Sequence, residues 1–283
     1  MELDGKVALV TGAGSPNGIG QTTAIFLAEN GADIIITDIE KGEPDNFQKM
    51  FGYEFGAHKG LNQAASKIEA LGKKALAITA DITKSDEVEK VVKSAVKDFG
   101  RLDILVNVAG GAWGPALIKD YEESLFIKTF DVNMFGTFRM CKYALPYLIR
   151  KKGTIVNISS IAVSIHSEYL SAYDASKAAI KTFTECLAVE YGPKGVRSFA
   201  ILPGNVETDM LEFELKATSS VLNIPIEKLK EMDKKSNPLR RWAKPIDIAK
   251  VVVFLCTDAA SYLNGVSIPI TGGLELAYPI SEQ

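Results

Sequence analysis

Apolar residues along the chain fall into short, nearly continuous runs, and each run is followed by a stretch with helical spacing. β-Rich runs occupy 6–11 (KVALVT), 33–37 (DIIIT), 75–79 (ALAIT), 103–107 (DILVN), 153–159 (GTIVNIS), 196–202 (VRSFAIL) and 266–271 (VSIPIT). Strands this apolar are covered on both faces, and their alternation with helices predicts an α/β fold, a Rossmann-like doubly wound parallel sheet of about seven strands. Three intervening helices carry their own boundaries. GIGQTTAIFLAENG stops at Gly31, SDEVEKVVKSAVKDFG runs from Ser85 as N-cap to Gly100, and YDASKAAIKTFTECLAVEYG ends at Gly192. No repeat and no Pro/Gly/Ser-rich linker divides the chain, so a single domain over 1–283 is expected. Two stretches exceed the minimal alternation, an insertion at 40–60 and a segment at 209–245. Excursions of that length in a compact domain are usually functional loops or lids.

Composition narrows the partners. With 47% hydrophobic and 24% charged residues among 283, the chain can bury a sizeable core. Its formal net charge of -3 predicts no nucleic-acid footprint. The apolar run VVVFLC at 251–256 is far below the roughly 20 residues that span a bilayer, so no membrane partner is expected. The opening MELDGK lacks an apolar signal region, which leaves a cytoplasmic location as the expectation. Cys141, Cys186 and Cys256 are widely spaced and form no metal motif, so they read as buried reduced thiols.

The segment TGAGSPNGIG at 11–20 leaves the first predicted strand and enters a helix. That position favours a phosphate, through free backbone N–H groups and the helix dipole. Gly12 permits a tight turn, and Gly18 and Gly20 carry no side chain to hold a pyrophosphate away. The strict pattern G-x-G-x-x-G would need glycine where Asn17 stands. Asp38 closes the second strand 18 residues beyond Gly20. A carboxylate there accepts hydrogen bonds from ribose hydroxyls and repels a 2′-phosphate, which favours NAD over NADP.

Tyr173 and Lys177 lie four apart in SAYDASKAAI, on one face of a predicted helix. Together with NISS, NVAG, DVNMFGTF and LPGNVET, this resembles the short-chain dehydrogenase/reductase superfamily in its Tyr-x-x-x-Lys group, from Lys6 to about Gly273. The resemblance implies an NAD-dependent enzyme that interconverts a secondary alcohol and its ketone and needs no metal. Tyr173 would be the general acid/base, Lys177 its tuning cation and a ribose ligand, Ser160 the donor to the developing alkoxide, and Asn133 the holder of a water in the proton path. Lowering a phenol from about 10 towards neutrality takes roughly three units. A cation about 4 Å away, at an effective dielectric of about 20, supplies an interaction of that size.

The same resemblance assigns cofactor contacts to Gly12, Asn17, Gly18, Ile19, Gly20, Asp38, Asp81, Ile82, Asn107, Ala109, Gly110, Pro203, Gly204, Val206 and Thr208, beside Tyr173 and Lys177. For Asn107 a role bracing the sheet weighs as much as cofactor contact. Val108 replaces the second Asn usual in the family. Trp113, Ile161, His166 and Met210 would surround the substrate, with Leu211, Phe213, Leu215 and Leu222 as an amphipathic lid. Phe47, Met50, Phe51, Tyr53 and Phe55 in the insertion are expected to pack on the adenosine edge or on a neighbouring subunit. Family assembly implies a homotetramer through the helices around 130–149 and after Tyr173.

Two other readings stand beside this one. A 3-oxoacyl-thioester reductase shares the catalytic set, but Asp38 opposes the NADPH preference usual there. A dinucleotide-binding redox sensor without turnover would ordinarily lack the tyrosine. The five residues between Gly12 and Gly18 are two more than the family's T-G-x-x-x-G-x-G allows. That spacing resembles the enoyl-thioester reductase branch, whose Tyr and Lys lie further apart than they do here.

Overall fold

The computed structural model describes residues 1–40, 44–50 and 58–276. The strands are β1 (Val7–Thr11), β2 (Asp33–Asp38), β3 (Ala75–Thr79), β4 (Ile104–Asn107), β5 (Thr154–Ile158), β6 (Arg197–Pro203) and β7 (Ser267–Ile270). The helices are α1 (Ile19–Glu29), α2 (Asn46–Met50), α3 (His58–Ala70), α4 (Ser85–Phe99), α5 (Glu123–Phe130), α6 (Thr137–Lys151), α7 (Ser171–Tyr191), α8 (Asp209–Leu222), α9 (Ile226–Ser236) and α10 (Pro245–Leu255). A π-helical stretch, Asp131–Gly136, joins α5 to α6.

All seven strands pair in parallel, in the order β3-β2-β1-β4-β5-β6-β7. The central strands β1, β4 and β5 are buried throughout, which is why they read as apolar runs, while the edge strands β3 and β7 are only part-buried. One layer packs Leu27, Ile68 and Val252 against Ile34, Val106 and Phe199; the other packs Val88, Val92, Met140 and Leu148 against Leu9, Leu105 and Ile155. Strand order reverses between β1 and β4, so the connections leave in opposite directions there and open a crevice at the carboxyl ends.

The predicted strands all form, with ends shifted by about one residue. Helix boundaries needed one correction: Lys84 is the N-cap of α4 and Ser85 its first helical residue, because Asp81 rather than Ser85 organises the preceding turn by accepting from Thr83. Cys141 and Cys256 are buried, and burial pushes both thiols up to about 12; Cys186 is exposed on α7, contrary to expectation. Met50, expected to pack on the adenosine edge or on a neighbouring subunit, is 76% exposed. The side chain of Phe47, and Phe51, Tyr53 and Phe55, lie outside the described residues. Among the described residues no helix is long and apolar enough to cross a membrane.

Candidate active site

The glycine loop is held in place by backbone contacts. Thr11 ends β1 and its Oγ1 accepts from the N–H groups of Val108 and Ala109 at 3.0 and 3.1 Å, tying β1 to the loop after β4. Gly12 has φ +68°, and a Cβ there would lie 2.7 Å from Ala109 N; one at Gly20 would lie 2.2 Å from Gly12 O. These glycines are therefore spacers between backbones that touch. A third spacer went unseen in the sequence. A Cβ at Gly60, in the first turn of α3, would meet Gly14 O at 1.8 Å, and Gln21 Nε2 donates to the carbonyls of Ala13 and Gly60 at 3.3 and 3.1 Å. The helix after the insertion thus braces the crest of the loop.

Asp38 serves that crest as well. Its Oδ2 accepts from Gly14 N at 2.7 Å and its Oδ1 from Ile39 N at 2.8 Å. Burial raises its carboxyl above the usual range, and these two bonds oppose the rise. A carboxylate has about four acceptor sites, so two remain for ribose hydroxyls.

On the other side of the crevice the catalytic candidates converge. Ser160 Oγ accepts from Ala162 N at 3.1 Å, lines the cleft with Tyr173 and eases ionisation of its phenol, whereas Ser159 Oγ donates to the Lys177 carbonyl at 2.7 Å. The serine that faces the phenol is Ser160. Lys177 sits one helical turn behind Tyr173, buried, with Nζ 2.9 Å from the Ile158 carbonyl and 5.6 Å from the phenol ring centroid. Burial depresses its ammonium to about 8. The phenol itself is pushed up, first by burial and then by the charge of Glu214, with Ser160 opposing. The Lys177 ammonium lies 5.6 Å from the ring centroid, and desolvation dominates the shift.

Asn133 lies in the π-helical stretch, a distortion common at functional sites. Its Oδ1 accepts from Gly111 N at 2.8 Å, and its Nδ2 donates to Gly111 O and Ser176 Oγ, both at 2.9 Å. The side chain thus pins the β4 loop onto α7, with one Oδ1 lone pair left over. Asn107 also braces: it donates to Asn157 Oδ1 at 2.8 Å, and Asn157 passes a bond of 2.9 Å to Thr184.

These walls bound one cleft of about 1040 Å³. Along it lie Asp38, Asp81 and Ile82 at one end, Gly12, Gly18 and Ile19 beside Ala109 and Gly110 in the middle, and Ser160, Tyr173, Lys177, Pro203, Gly204, Val206 and Thr208 at the other. Such a volume exceeds most small-ligand pockets and suits an extended dinucleotide plus a substrate. The donor set fits as well, with an acid at the β2 end, a glycine loop at a helix start and an ammonium beside the phenol. Trp113, Ile161 and Met210 line the cleft. His166 does not: its side chain is 70% exposed and lies 3.4 Å from Asp174. Asn17, Gly20, Asn107 and Asn133 are not among the lining residues: Asn17 is exposed, and the other three are buried.

The segment 209–245 folds as α8 and α9 over the cleft. Leu211 and Leu215 pack on Trp242, but Leu222 is 56% exposed and takes no part. Two bonds tie this lid to the lengthened crest: Ser15 Oγ and Asn17 Nδ2 donate to Asp209 at 2.8 and 3.2 Å. Asp209 went unnoticed in the sequence, where it reads as an ordinary acid in the first turn of a helix.

A cleft of this make-up at the switch point of a doubly wound sheet defines a dinucleotide-dependent oxidoreductase of the Rossmann class. A family model described as Enoyl-(Acyl carrier protein) reductase matches residues 12–275. The 3-oxoacyl-[acyl-carrier-protein] reductase FabG of Thermotoga maritima is 34% identical over 97% of this chain and 99% of its own. Among solved structures, NAD+-bound xylitol dehydrogenase superposes with a TM-score of 0.86 at 32% identity, covering 96% of this chain and 100% of that one. Carveol dehydrogenase from Mycobacterium avium in complex with NAD superposes with 0.90 at 28% identity, covering 97% and 99%. The chain belongs to the short-chain dehydrogenase/reductase superfamily.

Proposed function

We propose that this protein uses NAD(H) to interconvert a secondary alcohol and its ketone. The observation that carries the reading is the convergence of Ser160, Tyr173 and Lys177 on the lining of one cleft, with Lys177 one turn behind Tyr173. When bound, the nicotinamide supplies the hydride donor or acceptor. Ser160 orients the substrate oxygen and donates to it as charge develops. Tyr173 gives a proton to that oxygen in reduction and takes one in oxidation. Lys177 holds positive charge beside the phenol and is placed to meet a ribose hydroxyl. The support for NAD is Asp38, whose carboxylate lines the far end of the cleft and would repel a 2′-phosphate.

A panel of aliphatic, cyclic, aromatic and polyol secondary alcohols, assayed with NAD and NADP by absorbance of the reduced cofactor, tests this. Turnover with NAD is expected, and a preference for NADP overturns the cofactor reading. A second reading, reduction of a 3-oxoacyl thioester, is favoured by the similarity to FabG. Efficient NADPH-dependent reduction of acetoacetyl thioesters with no alcohol turned over would replace the first reading by this one. For assembly, the exposed Phe135, Phe138 and Val189 support a homotetramer built on α6 and α7, measurable by light scattering.

A further inference from the structure

We propose that Asp45 and Gln48, in the insertion after β2, are positioning residues for substrate selection: they clamp the loop after β4 and so hold Trp113 as a fixed wall of the cleft beside the reacting groups. The inference rests on the alcohol/ketone reading above and gives that site a specificity determinant on a distant part of the chain.

Residues 110–116 run past the catalytic candidates. A Cβ at Gly110 would lie 3.3 Å from Lys177 Nζ, and Gly111 exchanges two hydrogen bonds with the Asn133 side chain. Further on, Ala116 N donates at 3.1 Å to the carbonyl of Tyr169, which lies between Ser160 and Tyr173. Trp113 stands midway between these anchors. It is 5% exposed and lines the cleft, with Lys128 Nζ 5.4 Å from its ring centroid.

This stretch lies in neither helix nor strand, so its main chain must be held by other parts of the protein. Gln48 Nε2 donates to Ala112 O at 2.8 Å, Gly114 N donates to Asp45 Oδ2 at 2.6 Å, and the Tyr121 hydroxyl donates to Trp113 O at 2.6 Å. Asp45 and Gln48 also hold each other. Gln48 N donates to Asp45 Oδ1 at 2.8 Å and Asp45 N to Gln48 Oε1 at 3.0 Å, the reciprocal capping box that starts α2. That box uses one carboxylate oxygen and the amide oxygen. The two atoms it leaves over, Asp45 Oδ2 and Gln48 Nε2, go to the residues on either side of Trp113. A capping box needs no such outside partner, yet Gln48 is only 1% exposed in a helix of five residues. The clamp is therefore additional to what α2 needs for its own start. An indole whose two flanks are fixed gives way little to a substrate of another shape, and a displacement of about 1 Å in a site can cost about a hundredfold in rate.

The test uses the full-length protein with NAD and two clamp variants. Gln48→Glu keeps the acceptor for Asp45 N but sets an oxygen against Ala112 O, and Asp45→Ser keeps a cap for Gln48 N without a second oxygen for Gly114 N. Asn46→Ala, at an exposed position on the same helix, is the control. Cyclohexanol and 2-butanol are compared by kcat and KM, and Trp113 emission is read in a Trp242→Phe background, which leaves it as the sole tryptophan. Both clamp variants should change the ratio of kcat/KM for the two alcohols by about tenfold, chiefly through KM, and shift the Trp113 emission to the red. The Kd for NAD should stay within about twofold, and Asn46→Ala should move neither readout. Circular dichroism on all three checks the fold. A ratio unmoved in both clamp variants, an equal loss for both alcohols with a lower thermal midpoint, or the same change in Asn46→Ala overturns the proposal. Where no alcohol of the panel above is turned over, the oxidoreductase reading fails. The clamp is then decided by the same ratio read as Kd, from saturation-transfer NMR of the two alcohols on the NAD complex.

Discussion

The two sides of the cleft are built by different means. Around the glycine loop and β4, backbone touches backbone: Gly12 against Ala109, Gly20 against Gly12 and Gly60 against Gly14, with Thr11 and Asp38 bonding main-chain N–H groups. The lid α8–α9 is held by side chains instead, a small cluster of Leu211, Leu215 and Trp242, and the two bonds from Ser15 and Asn17 to Asp209. Close main-chain contacts tolerate almost no change, whereas exposed side-chain bonds are each worth about 1 kcal/mol and can be remade. The cofactor side is thereby suited to one invariant ligand. The lid side suits closure over a substrate and adjustment of what that substrate is.

Breaking the catalytic wall should have the largest effect. Tyr173→Phe removes the proton donor and should lower kcat by about 10²- to 10⁴-fold, while the Kd for NAD, from fluorescence titration, changes little. Next comes the cofactor end. Asp38→Ser removes the charge that opposes a 2′-phosphate and should move the ratio of kcat/KM for NAD over NADP towards NADP by about ten- to a hundredfold. The same change frees Gly14 N, so the thermal midpoint should fall as well.

A pH profile sharpens the comparison between the two directions of reaction. The Tyr173 phenol is raised by burial, so it is protonated at neutral pH and ready to donate. Ketone reduction, which needs the protonated phenol, should be level up to about 8 and decline above it as the ammonium of Lys177, pushed to about 8, discharges. Alcohol oxidation needs the deprotonated phenol, so its kcat/KM should rise with pH from 6 to 8, by at most about tenfold per unit. Oxidation that falls over this range would remove Tyr173 as the base.

Two smaller effects separate support from lid. Asn157→Ala leaves Asn107 and Thr184 short of buried partners and should cost about 1–3 kcal/mol in denaturant unfolding, with little change in KM. Asp209→Ala unties the lid from the crest. It should raise the substrate KM a few-fold and leave unfolding within about 1 kcal/mol. A larger stability loss there would mean that the lid belongs to the rigid core.

The strands, the glycine loop and Asp38 were legible from local spacing along the chain: apolar runs for a sheet and a turn that follows a strand. The roles of Ser160, Tyr173 and Lys177 came instead through the resemblance to the family, whose spacing they match. Other features came only from parts of the chain far apart in sequence. The Gly60 contact joins residues 14 and 60, the latch joins 15 and 17 to 209, and Glu214 joins the cleft lining from a helix with no motif of its own. Asn133 and Asn107 make hydrogen bonds to neighbours that only the packing brings near: Asn133 to Gly111 and Ser176, Asn107 to Asn157. Local pattern determined the fold and the chemical groups available. The tertiary structure decided which groups retain free valence towards the cleft, since burial and the choice of partners are properties of the assembled chain.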